Sequence, residues 1–138
     1  MEKFRYIDHT GDLGVEVFGD SLRSLFQHAG EAFTDIITEA EAIGLGKSKH
    51  IDLLADRVDD LMVYWLNEFV FLFDTEGFLP KVFDIVSIDE SHIEAAVQGE
   101  TYDEQQHPIK TAVKGATYHQ LEVVREGNRW KARIIFDL

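Results

Sequence analysis

Cysteine is absent from this sequence of 138 residues. Without a thiol, the chain forms no disulfide, binds no metal through thiolate sulfur and uses no cysteine nucleophile. A chain without disulfides suits a reducing compartment, so we expect a cytoplasmic protein.

Long apolar runs are also lacking. The longest, FVFLF at residues 69–73, is far shorter than a membrane span, and the opening MEKFRYID lacks the apolar stretch of a signal peptide. We therefore expect no membrane association. Only Pro80 and Pro108 interrupt the chain as prolines, and no segment is low in complexity. These features predict a single domain over residues 1–138.

Positive charge is scarce. Lysine and arginine total 13 against 26 aspartates and glutamates, so the formal net charge is −13. Because nucleic-acid affinity comes largely from cationic side chains that displace counterions, we expect no direct nucleic-acid binding by this protein alone. The charge fits an ordinary soluble cytosolic protein and, equally well, a protein whose partner is a basic protein or a divalent cation.

The hydrophobic patterns predict an α+β fold. Two short strands, KFRYI and LGVEVFG, precede a helix with apolar residues from Leu22 to Ile37, capped by Asp20 or Ser21. EAEAIGLGKSKH resembles a loop and HIDLLA a short strand. A second helix begins near Asp56 and ends at Gly77. The rest predicts strands, with a hairpin at Gly127-Asn128. We expect one two-layer domain, with a mainly antiparallel or mixed sheet packed against two long helices.

The second helix is apolar around most of its circumference. Its stripe includes Trp65, and Asn67 and Glu68 are polar exceptions in the middle. Core packing explains such a helix better than a client-binding surface does.

No standard catalytic or nucleotide motif stands out. GLGKSKH suggests a phosphate loop, but the position that needs the first glycine is Glu41. Lys47, Ser48 and Lys49 are better explained as a solvated loop. Neither a GxSxG elbow nor an HExxH motif is present.

Two aspartates have similar positions at predicted strand ends. Asp137 lies on the less apolar face of the last predicted strand. Asp12 lies on the same face of the second predicted strand as Gly14 and Glu16, which is also the less apolar one. Two such carboxylates, with the oxygens of the chain terminus, match the ligands of Mg²⁺ or Ca²⁺. The alternative is a solvated turn aspartate and a frayed terminus, and spacing alone favours that alternative.

Histidines form the other polar group of interest. Thr117 and His119 share parity with Leu121 and Val123, so we expect them to point inward at a strand end. An inward histidine is more often a hydrogen-bonded core residue than a ligand or base, and the same holds for His9. No ligand spacing supports a zinc site from His9, His119 and an aspartate.

Four segments together resemble one family. DHTGDLG at residues 8–14 resembles the DHTADIG signature of the archease family, and WLNEFVFLFD at 65–74 resembles its WLNELLYL-type helix. KGATYHQL at 114–121 is similar to its KAxTYH segment, and WKARIIFDL at 130–138 to its C-terminal strand. Order, spacing and total length also match.

The resemblance implies an activator of the GTP-dependent RNA ligase of tRNA splicing, with no reaction of its own. Such a protein is expected to promote guanylylation of the ligase and multiple turnover, and to alter which nucleotide the ligase accepts. The implied ligands for a divalent metal, Ca²⁺ or Mg²⁺/Mn²⁺, are Asp12, Asp137 and Leu138. The implied functional lysine is Lys114.

The remaining polar residues of the signature have a supporting role in this interpretation. Asp8 and His9 would support the turn that holds Asp12. Gly11, Leu13 and Gly115 depart from the family pattern, and Gly11 would loosen that turn.

Two alternatives remain. One is a metal-dependent phosphohydrolase that uses Asp12, His9, Asp137 and His119, although the sequence has no evident nucleophile motif. The other is a chaperone-like adaptor for RNA-processing proteins, with a structural cation.

Overall fold

Two long helices pack against two antiparallel sheets in the computed structural model, which describes residues 2–7 and 11–138. The α+β prediction is therefore confirmed. In chain order the elements are β1 (Phe4–Ile7), β2 (Leu13–Gly19), α1 (Leu22–Ile37), a short 3-10 helix (Ala40–Ala42), β3 (Lys47–Leu54), α2 (Val58–Glu76), β4 (Phe78–Ile88), β5 (His92–Thr101), β6 (Gly115–Ala116), β7 (Glu122–Glu126) and β8 (Arg129–Asp137).

The larger sheet joins strands from the two ends of the chain, whereas the smaller sheet joins strands from its middle. The larger sheet has the order β1-β2-β8-β6, with β7 also paired to β8, so the N-terminal strands flank the C-terminal strand. The smaller sheet has the order β3-β5-β4. Every pairing is antiparallel. The single sheet expected from the sequence is thus two sheets.

Local sequence explains where both helices begin and end. The Oγ atom of Ser21 accepts a hydrogen bond from the Ser24 N–H at 3.1 Å, so Ser21 is the N-cap of α1, as predicted. At the end of α2, Gly77 adopts φ 68°, and its N–H donates to the Phe73 carbonyl at 2.9 Å. Glycine suits this left-handed position because it has no Cβ.

The stripe of α2 forms the centre of the core. Trp65 is fully buried, and its Nε1–H donates to the Phe26 carbonyl at 2.9 Å. The rings of Trp65 and Phe69 pack edge to face, with their centroids 4.8 Å apart. Phe71 and Tyr64, in contrast, are exposed on the other face. Packing, rather than client binding, therefore accounts for the apolar stripe.

Two segments differ from the sequence-based prediction. The predicted loop contains the start of β3, from Lys47 to Lys49. These residues are mostly exposed and show no apolar alternation, so the sequence gives no strand signal there. Their backbone pairs with β5 all the same. The predicted strand GATYHQLEVVRE is broken into β6, a turn and β7. Gln120 has a φ of 51° in this turn, which an extended strand does not allow.

In the part of the chain that the structure describes, no helix has the length and apolarity required to cross a membrane.

Candidate functional site

Three strand ends meet at one edge of the larger sheet. Leu13, the first residue of β2, pairs with Phe136 of β8, and Gly115 of β6 pairs with Asp137 on the other side of β8. The Lys114 N–H donates to the Asp137 carbonyl at 2.8 Å. Asp137 therefore lies between the start of β2 and the start of β6.

The pairing also relates Asp12 to Asp137. Asp12 comes one residue before Leu13 and Asp137 one residue after Phe136, so the two aspartates flank the last residue pair that joins β2 to β8. Asp12 is half-buried, whereas Asp137 and Leu138 are exposed.

A pocket of about 360 Å³ opens on the β6 side of this edge. Lys114 and Asp137 line it together with the second half of α2, which contributes Asn67, Val70 and Phe71. The ammonium group of Lys114, the carboxylate of Asp137 and the exposed ring of Phe71 thus surround one opening. A ligand or partner group that enters it would meet both signs of charge.

Asn67 ties the helix to this edge of the sheet. Its Oδ1 atom accepts a hydrogen bond from the Ala116 N–H at 2.7 Å, and its Nδ2 atom donates to the Ala116 carbonyl at 3.3 Å. The side-chain amide therefore completes the backbone hydrogen bonding of β6 as a neighbouring strand would. The sequence marked Asn67 only as a polar exception in a buried stripe, and that exception was the available signal.

The turn after β6 is also bound to its surroundings. The Thr117 Oγ1 atom donates to the Ile135 carbonyl at 2.8 Å, and the Tyr118 hydroxyl donates to Asp60 on α2 at 2.9 Å. Partial burial, and then the hydrogen bond to Asp60, raise the pKa of Tyr118 to about 12. Tyr118 thus acts as a neutral hydrogen-bond donor that fixes the turn to the helix.

His119 does not point into the core. It is exposed, and its backbone N–H donates to Thr117 Oγ1 at 3.2 Å. The expectation of an inward side chain is therefore wrong, because the strand on which its parity rested ends at Ala116. Asp8 and His9 lie outside the described residues, so their supporting roles, and the zinc site through His9, stay predictions.

The oxygen-rich edge offers suitable donors for a hard divalent cation. The carboxylates of Asp12 and Asp137 and the main-chain carbonyl of Leu138 all offer oxygen ligands, as Ca²⁺ and Mg²⁺ prefer. Within residues 2–7 and 11–138, however, these aspartates do not join a third His, Asp or Glu in a close group of ligand atoms. Main-chain or terminal oxygens would have to complete the coordination.

Comparison with protein families matches residues 4–138 to the Archease protein family. The chain belongs to the archease family. "Protein archease" of Methanopyrus kandleri is 31% identical over 135 residues, which cover 96% of each chain, and that of Methanosarcina barkeri is 29% identical over 141 residues, 99% of this chain and 97% of the relative.

Solved structures of similar chains agree with this family. The solution structure of Methanobacterium thermoautotrophicum protein 1598 superposes with a TM-score of 0.83 at 31% identity and covers all of both chains. The crystal structure of a Thermotoga maritima archease, described as a possible chaperone, gives a TM-score of 0.66 at 20% identity, over 96% of this chain and 94% of that one. The second likeness concerns the fold alone.

Proposed function

We propose that this archease-family protein activates a GTP-dependent RNA ligase of tRNA splicing and catalyses no reaction of its own. It would promote guanylylation of the ligase, allow multiple turnover and alter the choice of nucleotide. The observation that supports this proposal most is the meeting of Asp12, Asp137 and Lys114 at adjacent strand ends, beside an open pocket.

The residues at this edge suit work on a nucleotide phosphate. Asp12, Asp137 and a main-chain oxygen of Leu138 would hold a divalent cation, which neutralises phosphate charge when bound. The exposed ammonium of Lys114 would contact a phosphate oxygen or orient a carboxylate. Asn67 binds the backbone of Ala116, two residues after Lys114, by two hydrogen bonds. Lys114 therefore directly precedes a strand that is held in place.

The charge of the protein supports a basic protein partner. A net charge of −13 repels RNA but attracts an RNA-binding enzyme, which carries positive charge around its substrate site. Opposite potentials accelerate the encounter and orient the partners. The partner, not this chain, would bind the RNA.

Multiple-turnover ligation tests the proposal. The cognate ligase is incubated with GTP, a divalent metal and a split RNA, with and without the protein. We expect several rounds of ligation only when the protein is present, and loss of the effect in Asp12→Ala and Lys114→Ala. Glu104→Ala, an exposed acidic residue in the loop after β5, serves as the matched control and should stay active. Ligation that is indifferent to the wild-type protein would refute the proposal.

The two alternatives predict different results. A phosphohydrolase would release phosphate from GTP with metal and without ligase. A chaperone-like adaptor would suppress aggregation of unrelated proteins, and the Thermotoga maritima relative is described as a possible chaperone. The exposed Phe71 and Tyr64 are the surface that such an adaptor would use.

A further inference from the structure

The outer face of the smaller sheet carries a second group of metal-ligating side chains. On β3, His50 and Asp52 alternate with the buried Ile51, so both point to solvent. On β5, His92 and Glu94 have the same orientation because Ile93 between them is buried. Two histidines and two carboxylates therefore share one face of two adjacent strands.

The strand register brings these side chains together. Asp52 pairs directly with Glu94, and His50 lies two residues along β3 on the same face. His50 Nε2 lies 2.8 Å from Glu94 Oε2, and His92 Nε2 lies 2.8 Å from Asp52 Oδ1. One potential ligand atom from each of His50, Asp52 and Glu94 lies within 4.8 Å of the other two.

We propose that His50, Asp52 and Glu94 bind a transition-metal ion of the Zn²⁺ type, with His92 orienting Asp52. Zn²⁺ binds imidazole nitrogen and carboxylate oxygen at about 2.0–2.2 Å, so ligand atoms around a tetrahedral ion lie roughly 3.4 Å apart. Small rotations of exposed side chains would bring the three atoms to that separation. Three protein ligands would leave the fourth position to water.

The chemistry of this group differs from that of the strand-end site. Ca²⁺ and Mg²⁺ prefer oxygen ligands, whereas a ligand set with imidazole favours Zn²⁺ and its neighbours. His92 donates to Asp52 as an outer hydrogen-bond partner, an arrangement that orients metal ligands. Asp84 is exposed on β4 and paired through Ala96 to His50, and it adds negative charge on the same face.

Titration calorimetry of the full chain with Zn²⁺ alone, in a buffer that does not bind metal, tests the inference. We expect one saturable site in the wild type and no saturable binding in His50→Gln or Asp52→Asn. Both substitutions are at exposed positions and keep a side chain of similar size, so circular dichroism should show an intact fold. Asp12→Asn and Glu104→Gln are matched controls that also remove one acidic charge, and they should retain full Zn²⁺ affinity.

His92→Phe, which keeps a ring but cannot donate a hydrogen bond to Asp52, tests whether His92 orients a metal ligand. Loss of an outer partner typically weakens metal binding roughly 10–100-fold, and we expect a loss in that range. Zn²⁺ should also raise the melting temperature of the wild type but not of His50→Gln, since a ligand that binds only the folded state stabilises it. The absence of saturable binding in the wild type, or equal binding by His50→Gln, would overturn the inference. Loss of Zn²⁺ binding in Asp12→Asn alone would place the ion at the strand ends and overturn it as well.

Discussion

Replacement of Asn67 by leucine should destabilise the protein, because this one amide satisfies both polar backbone atoms of Ala116. The substitution removes the hydrogen bonds at 2.7 Å and 3.3 Å and leaves the N–H and the carbonyl without these partners. Ala116 is only 8% exposed, so water replaces the amide poorly. A buried unsatisfied polar group costs about 1–3 kcal/mol, and we expect a total loss of about 2–3 kcal/mol.

Urea denaturation measures this loss directly. The midpoint should fall without a change in slope, since the surface exposed on unfolding stays similar. Asn67→Asp tests the donated hydrogen bond separately. Its carboxylate still accepts from the Ala116 N–H but cannot donate to the Ala116 carbonyl, so this variant should also be less stable than the wild type. Thr75→Ala, which removes an exposed hydroxyl bonded to Phe71 on the same helix, is the matched control and should cost no more than about 0.5 kcal/mol.

Replacement of Asn67 should also have a functional effect. Because Lys114 directly precedes β6, loosening β6 should also weaken the proposed activation of the ligase, even where the protein remains folded. If Asn67→Leu were as stable as Thr75→Ala, the amide would not support β6, and this account of the site would be refuted.

Three further predictions follow from single contacts. The Arg5 guanidinium lies 2.8 Å from the Glu16 carboxylate and holds the pKa of that carboxyl below its ordinary 4.5. The ion pair therefore stabilises the folded state fully above pH 4.5. This stabilisation is lost as the pH falls through the lower pKa of the folded state. Glu16→Gln should therefore lower the urea midpoint at neutral pH but hardly at all in strong acid. Gly99→Ala should cost about 3 kcal/mol or more, measured by the same method, because the new Cβ would lie closer than 3.0 Å to the Leu79 carbonyl oxygen. The pKa of Tyr118, followed by NMR, should be about 12 rather than the ordinary 10.0.

Each of these predictions has a contrasting variant or outcome. Gly46→Ala meets no atom within 4 Å and should be neutral, so equal damage at both glycines would contradict the steric argument. A difference between wild type and Glu16→Gln that persists in strong acid would show that ionisation of Glu16 is not the cause. Replacement of Asp60 by Ala removes the acceptor of the Tyr118 hydroxyl and should lower the pKa of Tyr118, and an unchanged value would rule out Asp60 as a cause.

Local patterns were sufficient where one segment determines its own conformation. Ser21 and Gly77 mark helix ends through backbone capping, and the Gly127-Asn128 hairpin follows from a turn that needs positive φ. The alternation along β8 also predicted which face Asp137 occupies. Such features depend on neighbours a few residues away, so they can be predicted from sequence.

Tertiary structure decided which of these segments meet. Periodicity does not say which strands pair, so only the order β2-β8-β6 brings Asp12, Asp137 and Lys114 to one edge. The turn at Gln120, held by contacts with α2 and β8, broke a strand that alternation alone would have continued and moved His119 to the surface. In the sequence, Asp12 and Asp137 lie at opposite ends of the chain. Long-range strand pairing is what turns them into one candidate site.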